Sequence, residues 1–230
     1  MNAPIAIIDY RAPSEAIQNL RKYFEVFEFH NPHTFEALSG HPDICLFQGQ
    51  SGLIVAPNTQ PELIAVLQKY DIPCTFGTTM IGADVRLSSL YNCVETDANI
   101  IHKLGYTDVS IQQICSGKPL LSVPQSYTRC SLLYLGGMQC ITSDKGIECQ
   151  LHAHGYNVMY VSQKGIMLPP YKHGCIAGCF GMYKSTVYCI GSLAYHEQGE
   201  RMYSFISELG YTIVELYNGP LYDGGGIFIL

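Results

Sequence analysis

The sequence predicts an α/β fold in which one small unit of strands and a helix repeats around a closed ring. Three observations support this prediction. Short apolar strands alternate with helical stretches at a period of about 40–50 residues. Turn signals divide several of these units into a hairpin followed by a helix and a further strand. The final ten residues, LYDGGGIFIL, form an apolar segment that belongs to none of the units.

Five copies of the unit fill the chain, although they differ in strength. In the second copy, Pro61 begins a helix whose apolar residues fall at helical spacing. In the fourth and fifth copies, Gly155 and Gly210 follow the helix, where a left-handed cap is favoured. The third copy, ANIIHKLGYTDVSIQQICSGKPLLSV, is the weakest, and the strand pairing of residues 77–120 cannot be read from it.

The hairpins distinguish two possible architectures. The fourth copy turns at residues 136–137 and the fifth at residues 183–185, so the full unit is ββαβ. A doubly wound α/β sheet is the alternative, but the hairpin strands would be surplus in it. The first copy lacks the strand that would precede it in a hairpin, whereas the strand at the C-terminus belongs to none of the five copies. We therefore expect the C-terminal strand to pair with the first strand and close the ring, with residues 1–230 as a single domain.

Composition excludes several classes of partner. The chain is 47% hydrophobic and 14% charged, with a net charge of −6, which suits a packed core. Without a basic run, nucleic acid is not an expected partner, and without a long apolar run a membrane is not either. The N-terminus lacks the basic segment of a secretory signal, so a cytoplasmic location is expected. The sequence does not specify an oligomeric state.

The ten cysteines are expected to be reduced core thiols, because many of them lie in apolar strand patterns. Two thiols separated by two residues, as in a zinc ribbon, do not occur. The sequence therefore predicts no metal and no cofactor.

Five ββαβ units in a chain of this length resemble the pentein fold, the fivefold pseudo-symmetric α/β propeller of guanidino-group-modifying enzymes. Those enzymes are arginine deiminases, dimethylarginine dimethylaminohydrolases and amidinotransferases. The stretch from Pro124 to Leu230, which includes PQSYTRCSLLYLGGMQCITSDKGI and HGCIAGCFGMYKSTVYCIGSL, is more closely similar to an uncharacterised bacterial family assigned to this fold. The first half of the chain matches only through the repeat. The resemblance implies a small-molecule ligand in a central channel.

The resemblance is incomplete at the residues that carry the chemistry. In enzymes of this fold a cysteine attacks the guanidinium carbon, a histidine transfers protons, and acids bind the guanidinium nitrogens. The deiminase-type tail has three glycines, two further residues and then the nucleophile, a place that Ile229 holds here. His173 matches the start of the enzymes' His-Leu-Asp motif, but Cys175 stands where the acid should be. The usual nucleophile is therefore expected to be absent.

Five residues are candidates for the chemistry itself. Asp223, at the head of the closing strand, is expected to bind a cation, unless it serves as a turn acid. Arg129 suits a carboxylate, which it can bind through two parallel hydrogen bonds. Cys130 and Cys179 are the candidate thiols, although each also fits a buried strand. His173 is the candidate for proton transfer.

Three further residues are candidates for hydrogen bonds to a ligand. Gln125 and Tyr127 precede Arg129 and would otherwise be loop residues. Asn92 occupies the equivalent strand head of its own unit. On one extended strand, residues 173, 175 and 179 would share a face, but the two thiols would lie too far apart for a metal.

Two functions follow from these residues. The first is a hydrolase or transferase that acts on a small amino-acid-like or guanidino compound in the channel, with a rearranged site. The alternative is a metabolite- or partner-binding propeller that has lost catalysis.

Overall fold

The protein, described here from a computed structural model over residues 4–230, contains five separate three-stranded sheets. In each sheet the middle strand pairs antiparallel with one neighbour and parallel with the other. A helix connects the two parallel strands in every case. The predicted ββαβ repeat is therefore confirmed, including its weak third copy, and the doubly wound alternative is wrong.

The elements alternate in the predicted order. The first two sheets and their helices contain β1 (Ile5–Asp9), α1 (Ser14–Leu20), β2 (Glu25–Phe29), β3 (Leu46–Gly49), β4 (Gly52–Val55), α2 (Pro61–Lys69) and β5 (Thr75–Phe76). The third and fourth contain β6 (Val94–Glu95), β7 (Ile100–His102), α3 (Val109–Ile114), β8 (Leu120–Ser122), α4 (Thr128–Ser131), β9 (Leu132–Tyr134), β10 (Gln139–Thr142), α5 (Lys145–Ala153) and β11 (Asn157–Tyr160). The fifth sheet and the tail contain β12 (Phe180–Tyr183), β13 (Thr186–Cys189), α6 (Gly199–Glu208), β14 (Thr212–Glu215) and β15 (Phe228–Ile229).

The C-terminal strand closes the ring. β15 runs antiparallel to β1, with Ala6 opposite Ile229 and Ile7 opposite Phe228. Beyond the strand, the Leu230 N–H donates to the Ile5 carbonyl at 2.9 Å. The tail thus supplies the hairpin strand that the first unit lacks, as predicted; the side chains of residues 227–229 are buried and that of Leu230 is half-buried.

Local sequence explains where the helices start and stop. Asp144 caps α5 by accepting a hydrogen bond from the Ile147 N–H, and Gly155 follows that helix with a φ of +82°. On α6, Met202 and Ile206 are fully buried one turn apart, so this helix packs its apolar face inward. In the described part of the chain, residues 4–230, no helix is long and apolar enough to cross a membrane.

Two expected strands take a different form. Arg129 and Cys130 lie on the short helix α4, because the buried Asn92 side chain accepts both of their backbone N–H groups. Residues 173–176 are irregular, and a 3-10 turn follows over Ala177–Cys179. The expected strand is replaced there because the Cys175 N–H donates to the Asp223 carboxylate and not to a neighbouring strand.

The ring closure predicts a large loss of stability when Phe228 is truncated. Its ring is fully buried in the same apolar cluster as Ile7 and Phe47. Phe228→Ala should lower the free energy of unfolding by about 3–5 kcal/mol in a denaturant titration. The control is Tyr203→Ala on α6, where the ring is 56% exposed and the change should stay within about 0.5 kcal/mol. Equal effects of the two substitutions would contradict the docked tail.

Candidate functional site

The polar residues at the centre of the ring come from equivalent places in different units. In each unit, the segment that enters the first strand of the sheet carries a polar or thiol side chain. These segments bring in His41 and Asp43 before β3, Asn92 before β6, Cys130 before β9, Cys175 before β12 and Asp223 before β15. The first strands of neighbouring sheets also touch, β3 with β6 and β12 with β15. The repeat itself therefore gathers these side chains at one point.

We call Asp9, His41, Asp43, Cys130 and Asp223 the hub cluster. All five are buried, and the four ionisable side chains other than the thiol are no more than 1% exposed. Asp9 is the last residue of β1, and it lies at the end of the first sheet where the antiparallel strand β15 begins. Buried carboxylates are rare in proteins unless they are paired or hydrogen-bonded, so such a group points to function.

The glycine-rich tail positions the Asp223 carboxylate. This carboxylate accepts hydrogen bonds from the N–H groups of Cys175 at 2.7 Å and Gly225 at 3.1 Å. A Cβ atom on Gly178 would lie 1.8 Å from the Asp223 carboxylate, so only glycine fits there. Gly225 and Gly226 have φ values of +69° and +79°, which favour glycine in the turn after the acid. Burial raises the pKa of Asp223, although His41 and the two N–H groups act against that rise.

His41 lies between two carboxylates without a hydrogen bond to either. Its Nε2 is 3.8 Å from Asp9 Oδ2, and its Nδ1 is 4.0 Å from Asp223 Oδ1. Asp9 is instead paired with Arg11, whose Nη2 and Nε donate to the two carboxylate oxygens at 2.8 and 3.0 Å. Burial lowers the pKa of His41, and the nearby carboxylates of Asp223 and Asp9 act against that shift.

Cys130 donates its thiol proton to Asp43. The distance from Sγ to Oδ2 is 2.6 Å, while the Asn92 amide nitrogen lies 3.4 Å from the same sulfur. Burial raises the pKa of Asp43 to about 6. Burial also raises the pKa of Cys130 well above its usual value, and the charges of Asp43 and Asp223 add to this rise. The resting thiol is therefore protonated and hydrogen-bonded to a carboxylate that accepts protons near neutrality.

One cavity opens onto the hub cluster. This first cavity has a volume of about 270 Å³, and His41, Cys130 and Asp223 line its polar part. The rest of the lining is mostly apolar or aromatic and comprises Phe35, Leu38, Val85, Tyr127, Leu168 and Tyr171, together with Gln125 and Cys175. Apolar walls around a few convergent polar groups are typical of small-molecule sites.

Arg129 faces a second cavity of about 250 Å³, and it is not among the residues that line the first. Its guanidinium stacks on the Phe228 ring at 4.2 Å, and Nη1 donates to the Gly225 carbonyl at 3.1 Å. Burial lowers the pKa of Arg129, and Asp43 opposes that shift. Arg129 therefore stabilises the tail. Its side chain also lines the second cavity, as does that of Glu95.

The other sequence candidates fall into two groups. Gln125 and Tyr127 line the first cavity, where the Gln125 amide also bonds to Asp144 and the Tyr127 hydroxyl lies 2.6 Å from that of Ser88. Asn92 is fully buried and positions the backbone of α4. His173 is partly exposed, and neither it nor Cys179 lines either cavity. The Cys179 thiol points to the Cys175 carbonyl at 3.6 Å.

Sequence reasoning missed His41, Asp43 and Asp9. A signal for the first two was present, because GHPDICLF places polar residues just before a strand, as TRCSLLY and YNCVE do in later units. Aligning the five units on their first strands would have placed His41 and Asp43 at the centre. For Asp9, the signal in the sequence is weaker: it is an acidic residue at the end of an apolar strand.

Five ββαβ units around a buried polar hub define the pentein class of protein, the fold of the guanidino-modifying enzymes. Solved structures agree at the level of the fold. An agmatine deiminase from C. jejuni with substrate bound matches with a TM-score of 0.61 at 8% identity, over 99% of this chain and 93% of that one. DDAH from Pseudomonas aeruginosa in complex with citrulline matches with a TM-score of 0.57 at 9% identity, over 94% and 92%. SxtG, an amidinotransferase from Microseira wollei, matches with a TM-score of 0.55 at 8% identity, over 96% and 89%.

The chain belongs to a family of unknown function, DUF6873, whose model matches residues 7–228. The comparison with curated proteins found no match.

The Cys130–Asp43 contact predicts how the ten free thiols react. Cys149 is exposed and should be alkylated first at pH 8, whereas Cys130 should react slowly because its thiol is buried and protonated. Asp43→Asn removes a negative charge beside the sulfur and should speed alkylation of Cys130 by about tenfold for each unit by which the thiol pKa falls.

Peptide mapping by mass spectrometry after timed alkylation measures both rates. The control is Asp97→Asn, which removes an exposed acid and should leave the Cys130 rate unchanged. An unchanged Cys130 rate in Asp43→Asn would contradict the charge coupling between the two side chains.

Proposed function

We propose that this protein acts on a small compound that carries a guanidinium or amidinium group, as a hydrolase or amidinotransferase that uses Cys130 in place of a C-terminal nucleophile. The observation that carries the proposal is the convergence of a thiol, an imidazole and a carboxylate, those of Cys130, His41 and Asp223, on one cavity. The pentein fold supports the proposal as an analogy, because several of its members act on such compounds.

The shape and charge of the first cavity suit such a ligand. At its polar end Asp223 offers acceptor oxygens to a flat cation, and paired acceptors are what a guanidinium needs. Its apolar and aromatic walls suit the alkyl body that carries the cationic group. A volume of about 270 Å³ accommodates a metabolite of few carbon atoms and excludes a macromolecule.

The contacts of Cys130 provide a route to a nucleophile. When the sulfur attacks the guanidinium carbon, an S–C bond forms and the thiol proton passes to Asp43, which already accepts its hydrogen bond. Collapse of the adduct breaks one C–N bond, and the leaving amine takes up the proton that Asp43 received, with His41, which lines the same cavity, as the relay. Water then displaces the sulfur in a hydrolase, or an acceptor amine does so in a transferase, and Cys130 recovers its proton.

The second candidate is a protein that binds the same cation without turnover. The raised pKa of Cys130 favours it, because a buried protonated thiol is a weak nucleophile. Ile229, at the place of the usual nucleophile, favours it as well. Both candidates require the same cavity and the same Asp223 contact.

We expect agmatine, arginine or a methylated arginine to bind the wild-type chain, as measured by calorimetry. Asp223→Asn should weaken that binding by roughly ten- to a hundredfold, since a hydrogen bond to a charged group contributes about 1.5–3 kcal/mol. Asp97→Asn is the matched control and should bind normally. If none of these cations binds, or if Asp223→Asn binds as tightly as wild type, the proposed function is wrong.

Cys130→Ser separates the two candidates. It should bind the ligand with near-normal affinity, because the cation contacts lie on Asp223, and it should form no ureido product or ammonia. Cys149→Ser, which removes an exposed thiol, should retain wild-type turnover. Turnover that survives in Cys130→Ser would exclude Cys130 as the nucleophile, and absence of turnover in wild type would leave the binding candidate.

A further inference from the structure

The imidazole of His41 is the most unusual group in the molecule. Its ring is fully buried, and both ring nitrogens lack a hydrogen-bond partner among residues 4–230. Buried polar groups in proteins are almost always hydrogen-bonded, and an exception calls for a functional or chemical explanation. An imidazole without a hydrogen-bond partner among the described residues has its lone pair free for a ligand.

Two further donor atoms lie next to that imidazole. One nitrogen of His41, the Cys130 sulfur and one Asp223 oxygen all lie within 4.8 Å of one another, and all three residues are buried. They enter from three separate parts of the chain: the turn before β3, helix α4 and the tail before β15. A contraction of about 1 Å would bring them to the ligand–ligand separations of a tetrahedral zinc ion.

The donor set identifies the kind of ion. Nitrogen, thiolate and carboxylate together are typical of zinc and similar transition metals, whereas magnesium and calcium prefer oxygen ligands alone. Three protein ligands leave the fourth tetrahedral position unfilled by the chain. Because His41, Cys130 and Asp223 all line the first cavity, that position would open towards it.

The surroundings fit a dication. In the part of the chain that the structure describes, two guanidinium groups, those of Arg11 and Arg129, offset three buried carboxylates, those of Asp9, Asp43 and Asp223. Two of these acids also lie beside the proposed ligands, in the position from which carboxylates commonly orient metal-binding side chains. Asp43 accepts from the Cys130 thiol at 2.6 Å, and Asp9 lies 3.8 Å from His41 Nε2.

We propose that His41, Cys130 and Asp223 bind one zinc ion, with the fourth position open to the first cavity. Binding displaces the thiol proton, which Asp43 or water takes up, and forms the Zn–S, Zn–N and Zn–O bonds. The open position would then hold a water molecule or a donor atom of a ligand. This inference goes beyond the proposed function, since a metal-bound Cys130 is not available as a free nucleophile.

The test uses the full-length protein without a tag, treated with EDTA, dialysed and titrated with Co²⁺ alone. We expect saturation at one ion per chain, with a thiolate-to-cobalt charge-transfer absorption and the intense d–d bands of a tetrahedral site, both lost when Zn²⁺ is added. Cys130→Ser should abolish the charge-transfer band, and His41→Gln should weaken binding by at least about tenfold. Cys149→Ser and His152→Gln remove an exposed thiol and an exposed imidazole and should change nothing.

The wild-type titration decides the proposal even if a variant fails to fold. Absence of saturable binding, or a cobalt spectrum without thiolate character, would overturn the zinc site. A band that survives in folded Cys130→Ser would overturn it too. Because no organic ligand is present, failure here leaves the proposed function standing, and failure to bind guanidino compounds leaves the zinc site standing.

Discussion

The pairing of the C-terminal strand with the first strand is the interaction on which the rest of the structure depends. β15 completes the first sheet, and the residues just before it carry Asp223 into the centre of the ring. The tail is also held from the fifth unit, since Gly224 and Gly226 donate to the Gly178 carbonyl and Ile227 donates to the Phe180 carbonyl. Closing the ring and assembling the hub cluster are therefore one event.

The hub cluster is costly to bury, and the fold offsets only part of that cost. Arg11 neutralises Asp9, and backbone N–H groups support Asp223. Within the described residues, both His41 ring nitrogens and one Asp43 oxygen have no hydrogen-bond partner. Groups left unsatisfied in this way lower stability, and proteins retain them where a ligand or a reaction requires them. The same residues serve the organic cation of the proposed function and the zinc ion of the further inference, so these two occupants exclude each other.

Much of the fold could be predicted from the sequence because each unit repeats the same local signals. Gly136, Gly155 and Gly210 mark turns and helix ends. The tail strand belongs to no unit and the first unit lacks a strand, so the pairing of β15 with β1 could be predicted. The short strands of the third unit were harder to predict, since β6 has two residues and β7 three, which is too few for a periodic pattern.

The site was only partly predictable. Asp223 and Cys130 were found because they stand beside recognisable motifs. His173 was favoured through a resemblance in sequence, whereas His41 is the imidazole that lines the cavity with them. The single sequence does not reveal that contact, because it depends on how a turn from the second unit meets segments from the fourth and from the tail. Arg129 was expected beside the same ligand as Asp223, but the two line different cavities.

Hydrogen exchange at the C-terminal amides tests the ring closure most directly. The N–H groups of Gly224, Gly226, Ile227 and Leu230 all donate to backbone carbonyls in the first or fifth unit. If the tail is docked, these amides should exchange as slowly as those of β1 and open only with global unfolding. Exchange of the tail on the timescale of an unstructured peptide, while β1 remains protected, would contradict the account.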